Sequence, residues 1–493
     1  MHSAHSLLEH LDPRQVLREL DRVDSEESLR SFIELGWKVL EPEREFVRGW
    51  HIDAVCEHLE AVTSGQLTRL LINIPPGCMK SLTTNVFWPA WEWGPKGRAG
   101  TRYISASYSN DLTIRDNRRC RNLIQSAWYQ SIWGKKFYLV GDQNAKLRFD
   151  TDQAGFKIAT SVGGLGTGER ADRFIIDDPH NIVDGESDAK REAAILWFTE
   201  VVPTRMSDPE KSSIVIIMQR VHDRDVAGVA LAKELGYEHL RLPMEFEAEA
   251  RCTTSIGFSD PRTHDEELLW GARMSQRVVE RDKRVLGSYA VAAQFQQRPA
   301  PRGGGMFKRE WFEVVDAAPS LASIVRGWDF AASETKRSAW TAGCKMGRDK
   351  DGVYYILDVV RSRKEPGAVE RLLKNTASQD SYEVVVDIPQ DPGQAGKAQV
   401  VYLTKQLAGF AVKFSPETGS KEVRAEALAS QARVGNVKLV RGLWNEDFLD
   451  ELTVFPFSEF KDQTDAASRA FHRLTPRGGQ LVAAAPETVN YSG

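Results

Sequence analysis

The sequence is poor in cysteine and has no long apolar run. Five cysteines in 493 residues (Cys56, Cys78, Cys120, Cys252 and Cys344) stand far apart with no C-x-x-C pair. That argues against a disulfide framework or a structural zinc, and for a reducing compartment. No stretch reaches the ~20 apolar residues that a bilayer span needs, and no secretory leader opens the chain, so a soluble intracellular protein with no membrane contact is expected. Charge of one sign is also lacking: 65 Lys and Arg against 69 Asp and Glu leave a net charge of -4. Attraction to a polyanion must therefore come from local basic patches. The length exceeds one ordinary core and sets two domains as the expectation.

Glycines are missing where a phosphate-binding loop would carry them. From Leu70 to Gly94 the chain reads LLINIPPGCMKSLTTNVFWPAWEWG, a short buried strand, a tight loop and a helix opened by Lys80 and Ser81. Against GxxxxGK[ST], Ile74 and Met79 replace both glycines and Gly77 alone relieves the loop. Pro76, Gly77, Cys78, Met79, Lys80, Ser81 and Leu82 are read as a nucleotide cradle. Loop amides and the positive helix end face the anion, Lys80 adds a point charge and Ser81 ligates Mg²⁺. An ordinary strand-turn-helix with a solvated lysine fits the same stretch. A second strand decides between them. Arg173-Phe-Ile-Ile-Asp177-Asp178-Pro-His-Asn181 puts two carboxylates at a strand's carboxyl end, where parallel sheets bind ligands. Asp177 is expected to hold Mg²⁺ through water, and Asp178 to orient or deprotonate the attacking water. Loop and acids in this order favour an NTPase.

Further apolar runs at 102–107, 156–161 and 213–218, separated by helical segments, imply a parallel α/β sheet. Gln219 and Arg220 close the last of these and are placed to sense a γ-phosphate. Arg170, after the glycine-rich turn 163–168, is the candidate for reaching a neighbouring subunit's nucleotide. Arg115, Arg118, Arg119 and Arg121 lie on one basic helix, either a solvated face or a phosphate contact. Trp50 and His51 read as packing, with adenine contact as the alternative. Four regions follow: a charged helical N-terminal appendage (1–44), the ATPase domain (45–245), a linker and hinge region (246–305) made of an acidic, turn-rich linker or excursion to Leu269, a helical segment from Met274 to Phe295 and the Pro/Gly-rich hinge Gln296–Gly305, and a second domain (306–493).

In that second domain, 323–333 reads as a strand with Asp329 in its interior. Alternating strands then surround a turn at 348–352, a hairpin signal. The strand 383–387 exits through Asp391, and Asp462 caps a C-terminal helix with Asp465 one turn in. A hairpin sheet with acids on a central strand, a neighbouring strand end and a flanking helix is how a two-metal nuclease site is assembled. Asp387 and Asp391 both remain open as the second acid, as do Asp462 and Asp465 as the third.

With PPGCMKS, TGERADRFIIDDPHN, IIMQRVHDRDVAG, AAQFQQRPAPRGGG, RGWDFAAS, PQDPGQAGK and FPFSEFKDQTDAAS assembled, the chain resembles the tailed-phage terminase large subunit from Trp50 to His472. The resemblance implies an α/β chain with an N-terminal P-loop ATPase domain built on a parallel sheet and a C-terminal RNase H-like nuclease domain on a mixed sheet. It implies ATP and Mg²⁺ as cofactors, with Mn²⁺ an alternative in the nuclease. Lys80 and Ser81 would be the phosphate and Mg²⁺ groups, Asp177 the metal acid, Asp178 the catalytic carboxylate, and Asp329, Asp391 and Asp462 the nuclease metal triad. It further implies translocation of double-stranded DNA into a procapsid and cleavage of concatemers. The partners would be a small subunit, a portal protein and other copies in a ring, with a monomer as the alternative in solution. The place would be the host bacterial cytoplasm, docked on the portal. A DNA helicase or repair-type ATPase without nuclease activity is the alternative reading.

Overall fold

The computed structural model describes residues 12–141, 146–164, 168–300, 305–330, 340–362, 366–390, 394–416, 419–457 and 460–475. The chain divides into two compact units, Met1–Arg302 and Gly303–Gly493.

In the first unit the described strands are β1 (Arg69–Asn73), β2 (Arg102–Ser107), β3 (Arg148–Asp150), β4 (Phe156–Ser161), β5 (Arg173–Asp177), β6 (Ser213–Met218) and β7 (Glu238–Arg241). They form one sheet in the order β3-β4-β2-β5-β6-β1-β7, parallel except for β3 on β4. Every residue of β5 and β6 is buried, which is why residues 174–176 and 214–218 show no polar alternation: both faces are covered. Asn73 lies opposite Met218, and Asp177 opposite Ile217. The carboxyl ends of β1, β6 and β5 are thus nearly level, and the phosphate loop and the acid pair open on one edge with β6 between them. The helix after the loop passes through a π-type stretch, Leu82–Phe87, before the α-helical Trp88–Trp93. Pro89 has no N–H for the regular i−4 bond, and the wider turn just before it absorbs the defect.

Two expected boundaries differ. Helix Leu29–Leu40 is not an appendage: Leu29, Phe32, Ile33 and Trp37 recur at helical spacing and lie in the unit's core, with the Phe32 ring against those of Phe87 and Trp133. The segment after Glu245, expected as a linker, folds back on the same core. Leu269 and Trp270 are buried in it, Glu245 bridges to Leu268, and Asp260 pairs with Arg262 at 2.7 Å, both about 1% exposed. The turns that made this stretch look extended let main chain and charge satisfy each other internally. The start of the expected hinge is fixed as well: Gln296 bonds the Glu245 main chain, and Gln297 accepts from the Arg220 amide.

In the second unit the described strands are β8 (Glu313–Val315), β9 (Leu321–Asp329), β10 (Thr341–Asp349), β11 (Tyr354–Ser362), β12 (Val385–Gln390), β13 (Val412–Pro416) and β14 (Val437–Val440). Their order is β13-β12-β9-β10-β11-β14-β8. β9-β10-β11 is antiparallel, and the flanking pairs are parallel. The expected arrangement, a parallel sheet followed by a mixed one, is what the chain forms. Helices α1 (Lys421–Arg433), α2 (Asn445–Val454) and α3 (Asp462–Leu474) contribute to this unit's main core. Asp329 is the last residue of β9 rather than an interior one, and Asp462 is the first helical residue of α3, the capping position being Lys461.

Candidate functional site

In the first unit the loop after β1 is held in a strained form. Gly77 has φ +78° and Met79 φ +61°, a left-handed conformation that costs a non-glycine residue about 1 kcal/mol or more. At Gly77 the backbone conformation favours glycine; a Cβ there would stand 2.9 Å from Met274 Cε, the flexible end of a side chain that can give way. Beyond the loop, Lys80 is only 8% exposed, and its ammonium contacts both oxygens of Asp178, at 2.6 and 2.5 Å. Asp178 also sits at positive φ, +42°. Its amide donates to Ile217 O, its carbonyl accepts from Tyr108 N, and its carboxylate accepts from Gln219 N at 3.1 Å. The neighbouring strands therefore fix the backbone that aims this carboxylate at Lys80.

Asp177 has a different environment. One oxygen accepts from Asn85 Nδ2 at 2.9 Å, and the other is buried with no hydrogen-bond partner. Burial, and then the negative charge of Asp178, push its pKa well up, against the opposing pull of Lys80 and the nearby Ser81 hydroxyl. A buried, half-satisfied carboxylate beside a serine is hard-oxygen chemistry suited to a divalent cation. The side-chain oxygen of Gln219 is likewise buried without a partner. Arg220, expected beside it as a phosphate sensor, has its guanidinium committed: it donates twice to Asp225 at 3.0 Å and to the carbonyls of His222 and Asp223. Cys78 is buried and its thiol is pushed up to about 12 by that burial. Arg170 is exposed. Trp50 stacks on Phe258, and the His51 ring lies 4.8 Å from that of Trp270, the packing role expected of the pair.

The second unit gathers its acids around a close helix–strand contact. A Cβ on Gly327 would fall 2.5 Å from Ala466 O and 2.6 Å from Ala470 N. Glycine two residues before Asp329, facing the Ala466, Ala467 and Ala470 stripe of α3, lets that helix lie directly on β9. Asp329 is 6% exposed and Asp465 4%. Lys421 Nζ lies between them, 3.0 Å from Asp329 Oδ2 and 3.2 Å from Asp465 Oδ2. Arg424, one turn later on α1, donates to both oxygens of Asp465 at 3.0 and 2.6 Å. Burial raises the Asp329 pKa strongly; Lys421 opposes this, while Asp465 and Asp462 add to it. The carboxylates of Asp462 and Asp465 are thus within electrostatic range of Asp329, but the residue joined to it through Lys421 is Asp465. Asp387 lies inside β12, and its carboxylate is spent on Arg473 (2.9 and 3.2 Å) and on Ser415 Oγ (3.0 Å). Asp391 falls outside the described residues. Among the described residues no cluster of three or more His, Cys, Asp or Glu is tight enough to hold a metal ion. What they offer is two carboxylates already sharing one cation. Beside them lies a cavity of about 700 Å³ lined by Asp387, Arg424, Arg469, His472 and Arg473 among others.

Several of these residues escaped the sequence reading. Lys421 and Arg424 carried a signal: two cations in the first turn of a helix oppose its dipole and call for nearby acids. Asn85 carried none, because a buried amide in a helix looks like any other. Trp270 and Met274 lie where the turn-rich stretch gives way to the helical segment, and nothing in the local pattern marks either as packed against the rest of the unit.

Residues 326–474 match the sequence family described as Terminase RNaseH-like domain. No curated protein matches the chain. Among solved structures, the large terminase of bacteriophage HK97 is 13% identical over 84% of this chain and 90% of its own, with a TM-score of 0.35. The zinc-bound large terminase nuclease of thermophilic phage G20c is 18% identical over 34% of this chain and 96% of its own, TM-score 0.26. The manganese-soaked, inhibitor-bound terminase nuclease domain of human cytomegalovirus is 10% identical over 34% and 95%, TM-score 0.29.

Proposed function

We propose, proceeding from the terminase RNase H-like family to which residues 326–474 belong, that the chain is a terminase large subunit. It would drive double-stranded DNA into a procapsid with ATP and cut the concatemer with a metal-dependent nuclease. The observation that carries the reading is the Lys80–Asp178 ion pair at the carboxyl edge of a parallel sheet, in the same chain as that family's domain.

Lys80 is the pivot of the motor half. Phosphates compete with Asp178 for its ammonium; once Lys80 turns to them, Asp178 keeps the Gln219 amide and can accept a proton from a water. Asp177 and Ser81 would hold Mg²⁺, which supplies charge neutralisation at the phosphates. The amide of Arg220 bonds Gln297, so a shift of Gln219 and Arg220 reaches the segment leading out of the first unit. Arg170 of one copy would complete the site of the next in a ring on the portal, with a small subunit delivering DNA in the host cytoplasm. In the nuclease half, Asp329 and Asp465, with Asp462 and Asp391, would hold Mg²⁺ or Mn²⁺. Arg469, which lines the neighbouring cavity and donates to Ser415, would contact backbone phosphates without reading sequence.

The test is a double dissociation in the full chain. Lys80→Ala should abolish DNA-stimulated ATP hydrolysis and spare Mn²⁺-dependent plasmid cleavage, while Asp329→Asn should do the reverse. Cleavage surviving in Asp329→Asn, or hydrolysis surviving in Lys80→Ala, refutes the corresponding half.

A further inference from the structure

A lysine ammonium between two buried carboxylates occupies the place where a bridging metal ion would sit, and this one is built to leave. Lys421 is the first residue of α1, whose capping residue, Ser420, accepts from Val423 N. Its side chain is 34% exposed, whereas those of Asp329 and Asp465 are 8% and 3% exposed, so the flexible four-carbon stem has a route to solvent that the acids lack. Arg424 is anchored differently. Its planar guanidinium is bidentate on Asp465 and also donates to Gly419 O at 3.0 Å. Of the two cations facing these acids, one is clamped and one is a single swinging charge.

We propose that Lys421 is a resident counter-cation of the nuclease carboxylates, and that a divalent ion can bridge Asp329 and Asp465 only by displacing it. Lys421 then sets the metal affinity of the site: it holds the acids together when no metal is bound and makes metal entry a competition. A lysine that merely contacted the DNA backbone would leave the two carboxylates to the metal and would not shift its affinity. The inference rests on the nuclease reading above and adds a residue to it.

The test measures Mn²⁺ binding to the full-length, nucleotide-free protein by the loss of the free-ion electron paramagnetic resonance signal. Lys421→Met should bind Mn²⁺ about tenfold more tightly than the parent, or better, a shift of about 1.4 kcal/mol. Lys421→Arg, which keeps the charge, should not. Asp329→Asn should remove the affected site in either background. Equal or weaker binding by Lys421→Met overturns the inference and leaves the nuclease standing. Absence of any Asp329-dependent Mn²⁺ site, in parent and variant alike, overturns both. Thermal unfolding gives a second readout. In chelator Lys421→Met should melt below the parent, Asp329 having lost its cation, and saturating Mn²⁺ should raise its midpoint by more than it raises the parent's. Equal Mn²⁺ shifts count against the proposal. Should the methionine variant not fold, Lys421→Gln carries the same comparisons.

Discussion

Each unit sets a lysine against buried aspartates, Lys80 itself buried and Lys421 half-exposed, and the two arrangements differ in which acid is left over. In the first unit Lys80 is spent on Asp178 alone, and Asp177 faces the neutral Asn85 with one oxygen unsatisfied. In the second, Lys421 is shared by Asp329 and Asp465, and Arg424 adds a second cation. On the proposed reading, the first pattern would keep the catalytic and the metal-holding acid apart: the lysine pairs with one, and the other is left for a cation. The second ties the acids into one cluster whose charge is already largely balanced. On that reading, a lysine beside phosphates would be drawn out by its ligand, whereas a lysine between metal-binding acids would have to be driven out. The same residue type is thus poised in one place and obstructive in the other.

If that contrast holds, the largest effect should come from Asp178→Asn. It leaves Lys80 without its anionic partner and removes the candidate proton acceptor. We expect the turnover number for ATP to fall about 10²–10⁴-fold while nucleotide affinity, measured by fluorescence titration, is unchanged or tighter. Weaker binding with turnover preserved would mean that Asp178 only positions the lysine. In the other unit, Asp465→Asn should cut Mn²⁺-dependent plasmid cleavage about 10–100-fold, the scale expected when a group supporting a metal site is lost. Asp387→Asn, at a carboxylate already neutralised by Arg473, should lower it by far less. Equal losses would place Asp387 in the metal site and break the assignment of Asp465.

How far the sequence disclosed all this follows from where each signal lives. Strands buried on both faces lose the polar alternation of a half-exposed strand, so β2, β4 and β6 could be read as buried strands even though β2 carries Ser105 and β4 the buried Lys157, and the acids at the end of β5 with them. Side-chain partnership across the fold leaves no local trace, and for that reason Asn85 went unseen. Arg220 looked like a free sensor because nothing in the sequence around it says that Asp225 claims its guanidinium. The folded-back segment 246–274 failed for another reason. Its order comes from the buried Asp260–Arg262 pair and from Trp270, whose apolar surface follows no helical or strand period. In the second unit Gly327 and the alanines of α3 were visible as small residues, yet only their contact shows that they bring Asp465 to Asp329.

The smallest predicted effect sets one buried histidine in the first unit against one buried glutamate in the second. Both ring nitrogens of His51 are buried without a hydrogen-bond partner, and burial, with Arg262 and Arg273 nearby, lowers its pKa to about 3. Glu451 is buried against Gln463 and the Thr464 amide; its pKa is raised to about 7, chiefly by burial, with Arg361 opposing. For the histidine, the unfolded chain takes up a proton that the folded one refuses, so stability is lost as pH falls below 6.5. For the glutamate, the folded chain keeps a proton that the unfolded one releases, so stability is lost as pH rises from 4.5 to about 7 and is constant above that. Each slope is about 1.4 kcal/mol per pH unit within its window, and about 3 kcal/mol is the ceiling for Glu451. Glu451→Gln should therefore raise the thermal midpoint at pH 7.5 relative to the parent and lose that advantage near pH 4.5. His51→Phe should do the opposite, gaining most near pH 5. If both variants shift the midpoint equally at the two pH values, neither side chain is held in the uncharged form that its burial implies, and the two units do not differ in the sense of their response to acid at these positions.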